Sequence, residues 1–508
     1  MKKQINSNVK AHLVRGACYL LLLLAICVIP FALAQRATTK RNRPATTITV
    51  TTTADSGPGS LRQALADAPG GDTIEFDSSL NGQTITLTSG ELVVADSITI
   101  SGPGPSLLAV SRNSQSSNFR IFHIQPNHTV AISGLTISNG NLISVSGAGI
   151  FNDQSTVTIT NCVISGNATD SPPSIQCGGG GIYNNGALNL INSMVTGNFA
   201  TGPFVYGGGG ILNNGSLTIS QCSITNNRGD RYGGGIAFER PGGKRLPNNC
   251  LPKTASALIQ NSTISSNQTG TYDHFGGDGA GLSGDGFIIQ NSTISGNSGI
   301  GGMYGGYGGA IYGGGIITNC AISGNTTNHQ AGGIYANTPV ELTHTILNQF
   351  QNIVNNGTTV TSHGYNVSSD NGGGFLTGPG DQINTDPLLG PLQNNGGPTA
   401  THALLPGSPA IDAGDPSFTP PPYYDQRGPV FWRVRNDRID VGSFEVQQGT
   451  TPSPTATPTA SPTPTPSATA TFTPTATATA TATATPTATL MPRSTPIPRP
   501  RPTRPPRP

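Results

Sequence analysis

The sequence predicts a single-stranded right-handed parallel β-helix, in which successive coils of the chain stack on one another. The segment TVTITNCVISGN at Thr156–Asn167 recurs through the middle of the chain. The steps between copies are 27, 31, 29, 40, 30, 28 and 25 residues, and the copies centre on Leu135, Cys162, Ser193, Cys222, Ser262, Ser292, Cys320 and Thr345. A near-constant period of this size, carried by short β-branched segments, is typical of a solenoid. It predicts about seven or eight regular coils plus caps.

The residue types hold register within the repeat. Aliphatic residues stand three positions before and two positions after the centres, and Asn or Gln stands one position before the six centres from Cys162 to Cys320. If each repeat is one coil, equivalent residues stack about 4.8 Å apart. We expect the aliphatic rows to fill the core and stacked amides to hydrogen-bond from coil to coil. The row five positions after the centre consists of Asn167, Asn198, Asn227, Asn267, Asn297 and Asn325.

A glycine-rich signature precedes each copy. It reads GAGIFN at Gly147–Asn152, GGGIYNNG at Gly179–Gly186 and GGGILNNG at Gly208–Gly215. Glycine allows the tight bends that need a positive φ, and the aliphatic residue that follows is predicted to point inward. Between each corner Asn and the next signature lies an excursion of variable length, which must leave the coil along one edge of the solenoid.

Composition narrows the function classes. The chain has 508 residues, a formal charge of +2 and only 10% charged residues, against roughly 25% in ordinary domains. This balance argues against a nucleic-acid partner. We expect a monomer.

Residues 1–34 read as a signal peptide. Lys2 and Lys3 precede the apolar run Ala17–Ile29, and an Ala-Leu-Ala site predicts cleavage between Ala34 and Gln35. The prediction is a secreted protein, extracellular or at the cell surface, with no transmembrane anchor after cleavage. The five remaining cysteines give no complete disulfide framework. Cys162, Cys222 and Cys320 are expected to be buried thiols, whereas Cys177 and Cys250 could pair.

The two ends of the β-helix resemble known bacterial segments. After a linker at residues 35–45, the sequence Gly59-Ser60-Leu61-Arg62-Gln63-Ala64 resembles the CSLREA-type segment of bacterial surface β-helix proteins, with Gly59 and Gln63 in place of its Cys and Glu. Residues 46–128 are therefore assigned to an N-terminal cap and the first strands, and 129–360 to regular coils. The amphipathic stretch Leu61–Ala68 is predicted to be a helix that covers the open end of the first coil.

Residues 361–447 resemble the choice-of-anchor Q domain that closes such proteins. The matching stretches include Asp386–Pro416, Asp425–Pro429 and Ile439–Glu445. Together with repeats like those of polymorphic outer-membrane proteins, the resemblance implies a bacterial surface protein of pectin-lyase-like fold. We expect this segment to cap the last coil, and we expect internal ion pairs and turn caps from Asp412, Asp425, Arg427 and Asp440.

The C-terminal stretch 448–508 is rich in Thr, Pro and Ala and cannot bury a core. It is predicted to be a disordered stalk, extended and basic at its end. Its arginines would attract an anionic wall polymer or membrane surface, or they form a solvated end without a partner.

Catalytic residues are sparse. Glycoside hydrolysis requires two carboxylates roughly 5–9.5 Å apart, yet the repeated strand segments contain no acid. Related lyases use an Asp cluster with Ca²⁺, and the nearest counterpart is Asp273, His274, Asp278 and Asp285. The stretch GGDGAGLSGDG resembles a glycine-rich Ca²⁺ repeat, but an Asp-Gly turn explains it better, so we predict no metal site and keep Ca²⁺ as the alternative.

Aromatic residues gather in the excursions, hence along one edge. Aromatic rings make large contacts at low entropy cost, so this edge is the candidate surface for a polysaccharide or cell-wall polymer. The alternative is that the rings merely fold over the coils. The candidate ligand-binding residues are Phe204, Tyr206, Tyr232, Tyr272, Tyr304 and Tyr307.

Three functions follow from these patterns. The first is an adhesive or structural surface protein that binds polysaccharide. The second is a carbohydrate-active enzyme, a polysaccharide lyase or glycoside hydrolase, that uses the acidic excursion. The third is a passive spacer. The absence of acids from the strands places the enzyme last.

Overall fold

The structure is a computed structural model that describes residues 44–143, 145–170, 176–202, 205–238, 255–270, 277–300 and 306–447, with the backbone alone for 176–177 and 205–206. The predicted signal peptide with its cleavage site at Ala34 and Gln35, and the predicted stalk at 448–508, lie outside the described residues. So do Phe204, Cys250, Tyr272, Asp273, His274 and Tyr304. Among the described residues, no helix is long and apolar enough to span a membrane.

The chain forms a parallel β-helix with three sheets, which confirms the predicted fold class. Sheet A has 20 strands, sheet B has 11 and sheet C has 7. Each full coil contributes two strands to sheet A, then one to sheet B and one to sheet C. We call the two strands of sheet A the leading strand, which follows the glycine-rich signature, and the second strand, which carries the TVTIT-type segment.

The strands of sheet A fall into these two groups. The leading strands are Leu92–Val94, Phe122–Ile124, Ile150–Asn152, Ile182–Asn184, Ile211–Asn213, Ile236–Phe238, Ile334–Ala336 and Ile353–Asn355. The second strands are Thr47–Val50, Thr73–Phe76, Thr99–Ser101, Thr129–Ser133, Thr156–Thr160, Ala187–Ile191, Ser216–Ser220, Ser256–Gln260, Val340–Thr343 and Val360–Gly364. In two coils the leading and second strands are continuous, namely Leu282–Gln290 and Ile311–Thr318.

Sheets B and C complete each coil. Sheet B contains Gln83–Leu87, Leu108–Arg112, Thr136–Ser138, Val163–Ser165, Met194–Thr196, Ser223–Thr225, Thr263–Ser265, Thr293–Ser295, Ala321–Ser323, Ile346–Asn348 and Val367–Ser368. Sheet C contains Asn141–Ile143, Ala168–Asp170, Phe199–Thr201, Arg228–Gly229, Gln268–Thr269, Ser298–Gly299 and Thr326–Thr327. Four further strands form two small pairs, Gln176–Cys177 with Val205–Tyr206, and Leu389–Gln393 with Thr401–Leu404.

The predicted rows stack in register inside the coils. Ile132, Ile159 and Leu190 are paired coil to coil and are fully buried. The residue before each repeat centre occupies a corner in the left-handed conformation, as at Asn161, where φ is 50°. Asn tolerates this conformation better than most residues, which explains its recurrence at that position.

The asparagine row forms the predicted amide ladder. Asn167 Nδ2 donates to Asn198 Oδ1 at 3.0 Å, and Asn198 Nδ2 donates to Asn227 Oδ1 at 2.9 Å. The same bond continues through Asn267 and Asn297 to Asn325. Buried amides need hydrogen-bond partners. Each Asn side chain provides such a partner for the Asn of the neighbouring coil and thereby fixes the spacing of the coils.

The N-terminal helix, Leu61–Asp67, begins after the N-cap Ser60, whose hydroxyl accepts the Gln63 N–H. Its apolar residues Leu61, Ala64 and Leu65 are buried in the main hydrophobic core. A 3₁₀ turn at Ser78–Leu80 follows. The helix thus shields the core at the N-terminal end, as its amphipathic pattern predicts.

The C-terminal segment differs from the expected cap. Only its first part acts at the end of the solenoid: Phe375 and Leu376, which follow the 3₁₀ turn Gly372–Gly374, pack against the main core. The part beyond residue 387 lies along the outer surface of sheet B. There Thr263 Oγ1 donates to the carbonyl of Ala400 at 2.6 Å, and Ser295 Oγ lies 2.9 Å from His402 Nε2.

A second hydrophobic core lies under this segment. Outward-facing residues of sheet B, Ile346 and Val367, pack with Leu404, Ala410 and Val441. The physical reason for the difference is that sheet B carries apolar and small side chains outward in its last coils, and these must be covered.

The predicted turn caps and ion pair are present. Asp425 is fully buried and pairs with Arg427, with 2.5 Å between Arg427 Nη2 and Asp425 Oδ2. The guanidinium lies between the rings of Phe431 and Phe444, 3.9 and 3.8 Å from their centroids. Asp440 accepts the backbone N–H groups of Asp412 and Val446.

Candidate functional site

One outward-facing row of the leading strands carries most of the stacked aromatic side chains. It is the position directly after the buried aliphatic residue of the glycine-rich signature. Backbone pairing aligns the row from coil to coil as His123, Phe151, Tyr183, Leu212, Ala237, Ser283, Tyr312, Tyr335 and Val354. We call it the outer row.

A second row folds back over the outer row. Gly233 and Gly308 have φ values of 54° and 66°, a conformation that suits glycine. The residue before each of them, Tyr232 or Tyr307, is therefore turned towards the coil. In the neighbouring coils the residue at this place is Asp278 or Gln330, since backbone bridges pair Tyr232 with Asp278 and Tyr307 with Gln330.

Size is complementary between the two rows. At Gly207, a Cβ would stand 2.5 Å from the Cβ of Ala237 and 3.4 Å from Leu212 Cδ1. A side chain at Gly207 is therefore excluded chiefly by the Ala237 Cβ, with Leu212 close by. Tyr232 stands instead in the coil whose outer-row residue is Ala237, and the small residues Ala237 and Ser283 leave space for a ring.

Four tyrosines meet where the rows come together, and we call them the tyrosine cluster: Tyr232, Tyr307, Tyr312 and Tyr335. The rings of Tyr312 and Tyr335 are stacked, with centroids 5.4 Å apart and planes 15° apart. Tyr307 lies 4.7 Å from Tyr335, and Tyr232 lies 6.3 Å from Tyr312. All four side chains are partly exposed, so the cluster forms a surface that a ligand can reach.

Charged groups border the tyrosine cluster. Asp278 Oδ1 accepts the backbone N–H of Tyr307 at 3.1 Å, and the guanidinium of Arg231 lies 5.7 Å from the Tyr232 ring centre. Partial burial raises the pKa of Tyr335, and the neighbouring Tyr307, Tyr312 and Asp278 add to this rise. The Tyr335 phenol is therefore a protonated donor at neutral pH.

A second group of rings stands at the other end of the outer row. His123, Phe151 and Tyr183 stack with centroid distances of 5.1 and 5.3 Å. The Arg120 guanidinium lies 4.9 Å from the Phe151 ring centre, and Glu91 pairs with both Arg120 and His123. Because Tyr183 is only 6% exposed and joins a small core with Leu212 and Ala237, this group contributes mainly to packing.

The predicted binding residues divide by location. Tyr232 and Tyr307 come together with Tyr312 and Tyr335 in the tyrosine cluster. The backbone of Tyr206 pairs with Cys177, and its side chain is outside the described part of the chain. Sequence reasoning missed Tyr312 and Tyr335, although the pattern Ile-Tyr in GGAIY and GGIY, one place after the inward residue, was the available signal.

The hydrogen bonds of the predicted acidic residues Asp278 and Asp285 do not join them into a catalytic pair. Asp278 accepts the Tyr307 N–H, whereas Asp285 Oδ1 accepts the Thr338 hydroxyl at 2.8 Å on the far side of the leading strand. In the described ranges, no group of three or more His, Cys, Asp or Glu residues is placed to hold a metal ion. Asp273 and His274 lie in the undescribed stretch 271–276.

The cysteines behave as predicted for buried thiols. Cys162, Cys222 and Cys320 are free and buried, and burial raises the pKa of Cys222 and Cys320 to about 12. They occupy the same row as Ser193, Ser262 and Ser292. Their low thiolate content makes them unsuited to nucleophilic chemistry.

Comparisons with known proteins give a likeness of architecture alone. No protein-family profile matches the sequence, and no curated protein matches it. Among solved structures, the chain is similar to the crystal structure of pectate lyase Pel9A, with a TM-score of 0.46 and 15% sequence identity over 80% of this chain and 98% of that one. At this identity the likeness concerns the β-helix alone.

Proposed function

We propose that the chain is an exported β-helix protein that binds polysaccharide at the tyrosine cluster, in an adhesive or structural role. The observation that supports this most is the meeting of four partly exposed tyrosines drawn from three coils. A soluble protein seldom gathers exposed aromatic side chains without a partner. Tyrosine suits an exposed binding surface because it combines a large rigid contact area with a hydroxyl group.

The ring geometry favours hydrogen bonding by the hydroxyl groups. Tyr312 and Tyr335 stack on each other, so one face of each ring is already covered, and we assign the contact with a sugar to the ring edges and hydroxyl groups. Tyrosine hydroxyls both donate and accept hydrogen bonds, which is the chemistry that sugar hydroxyls require. Face-on stacking of a sugar is left to the flanking rings, Tyr232 and Tyr307.

The spacing of the coils supports a polymer as the ligand. Successive rungs of the outer row are about 4.8 Å apart, which is close to the length of one sugar unit in an extended chain. A polysaccharide aligned with the solenoid axis can therefore repeat the same contact on neighbouring coils. Repeated weak contacts of this kind raise the overall affinity by multivalency.

The test is retention of immobilised polysaccharides by the purified full-length chain and by a variant with Tyr312→Ala and Tyr335→Ala. We expect the wild type to be retained and the variant to lose at least tenfold in affinity, about 1.4 kcal/mol. The matched control is Tyr423→Ala, because Tyr423 is 59% exposed on the C-terminal segment. It should bind as the wild type does.

Two results would contradict the proposal. Failure of the wild type to bind any polymer would favour the passive spacer. Equal binding by the double variant and the wild type, with both folded, would place the ligand elsewhere. Released reducing or unsaturated products are measured in the same experiment, and their appearance would redirect attention to the acidic excursion around Asp278.

A further inference from the structure

We infer that the tyrosine cluster selects an uncharged polysaccharide and rejects polyuronates, because two carboxylates stand in the coil between Tyr232 and Tyr312. This inference rests on the polysaccharide binding proposed above. Asp278 precedes the strand Leu282–Gln290, and Asp285 lies within it, two residues after Ser283. Ser283 is the outer-row residue paired with Tyr312, so the two acids flank the position beside the Tyr312 ring.

The structure holds both acids at the surface. The Tyr307 N–H fixes Asp278 Oδ1 at 3.1 Å, and the Thr338 hydroxyl fixes Asp285 Oδ1 at 2.8 Å. Both side chains remain partly exposed. Among the described residues in contact with the cluster, Arg231 supplies positive charge beside Tyr232, so one cation stands against two anions.

Charge then separates the two classes of polymer. A carboxylate accepts hydrogen bonds and donates none, so it pairs with the hydroxyl groups of a neutral sugar. A polyuronate brings one negative charge with each sugar, so a polyuronate that lies on the tyrosine cluster would bring carboxylates close to the acids of this coil. Like charges about 4 Å apart in water cost about 1 kcal/mol, a roughly fivefold loss of affinity for each close pair.

The experiment compares neutral polymers, a galactan and a β-glucan, with polygalacturonate and alginate on the full-length chain. The wild type should bind a neutral polymer at least tenfold more tightly at 50 mM salt. This preference should shrink at 1 M salt, where the Debye length is about 3 Å. Asp278→Asn should raise the ratio of polyuronate affinity to neutral-polymer affinity by roughly fivefold, and its amide oxygen can still accept the Tyr307 N–H.

Matched variants keep the test decisive. Asp170→Asn makes the same charge change on sheet C, away from the cluster, and should change neither affinity. Asp285→Asn should act in the same direction as Asp278→Asn, so it serves if the Asp278 variant unfolds. Equal or tighter binding of polyuronate by the wild type would overturn the inference and leave the proposed function standing. An unchanged ratio of polyuronate affinity to neutral-polymer affinity in both Asn variants would also overturn the inference. If the wild type bound neither class of polymer, both the inference and the proposed function would be wrong.

Discussion

The buried asparagine ladder allows a direct test of what holds the coils together. In Asn227→Ala, four side-chain hydrogen bonds disappear: those donated to Val195 O and Asn267 Oδ1, and those accepted from the backbone and side chain of Asn198. Asn198 Nδ2 keeps its bonds to Ile164 O and Thr196 O. The Asn198 backbone N–H and the Val195 carbonyl lose the bond each made to Asn227.

The expected loss follows from these two groups. The Asn198 N–H is left without this partner, which costs about 1–3 kcal/mol, and the bond lost by the Val195 carbonyl is worth about 0.5–1.5 kcal/mol, so the free energy of unfolding should fall by about 1.5–4.5 kcal/mol. The control is Asn189→Ala, which removes the same side chain from an outward, half-buried position of the second strand. There the change should stay within about 0.5 kcal/mol.

The assay is urea unfolding of both variants, combined with hydrogen exchange of the Asn198 amide. Asn227→Ala should lower the urea midpoint with little change in slope, and the Asn198 amide should exchange faster than in the wild type. If Asn227→Ala and Asn189→Ala had equal midpoints, the ladder would not be a source of stability, and the reasoning from buried amide pairing would be refuted.

Three further predictions concern other rows and the C-terminal segment. Cys222→Ser should lower the free energy of unfolding by less than about 1 kcal/mol, because Ser193 and Ser262 occupy the equivalent positions of neighbouring coils. Cys222→Val should lower it by about 1–3 kcal/mol, since the Ser193 N–H loses its acceptor, the Cys222 sulfur at 3.4 Å. Thermal unfolding of the two variants and the wild type measures this difference. Gly178→Ala should lower the free energy of unfolding by about 3 kcal/mol or more, because the new Cβ would stand 1.5 Å from the Gly207 carbonyl oxygen. The control is Gly197→Ala, where φ is 61° and no atom lies within 4 Å of the new Cβ. It should cost about 1 kcal/mol in urea unfolding. Burial and the neighbouring Asp440 raise the pKa of Glu445 to about 9, although Arg433 acts in the opposite direction. Near neutral pH the folded state therefore keeps a proton that the unfolded state has lost, so the free energy of unfolding should fall as the pH rises from 7 to 8.5. Glu445→Gln should reduce this pH dependence in urea midpoints measured across that range.

The repeat made the core of this fold predictable. Rows such as Ile159 and Asn167 recur at a fixed place, and each must repeat its environment when coils stack. The sequence therefore specified which residues face inward and which turn a corner. The continuous strands Leu282–Gln290 and Ile311–Thr318 were less apparent, because in them glycines replace the inward Asn of Asn152 and Asn184.

The candidate site was only half predictable, for a physical reason. Tyr232 and Tyr307 were selected because they lie in excursions, yet what brings them together is the outer row below them. That row is visible only when the two positions are compared coil by coil, since the excursions differ in length. Tyr312 and Tyr335 were treated as part of the repeat, although they supply the stacked pair at the centre of the cluster.

The C-terminal segment bears on which side of the solenoid can meet a ligand. In the last coils the outward residues of sheet B, such as Thr293, are buried beneath it, whereas in earlier coils the outward residue Met194 is 40% exposed. The tyrosine cluster belongs to the same late coils, but it lies on the leading strands of sheet A. Sheet B is therefore covered in the coils where the cluster forms, so a polymer that follows those coils cannot lie against sheet B. The segment thus stabilises the late coils from one side and leaves the tyrosine surface of another side accessible.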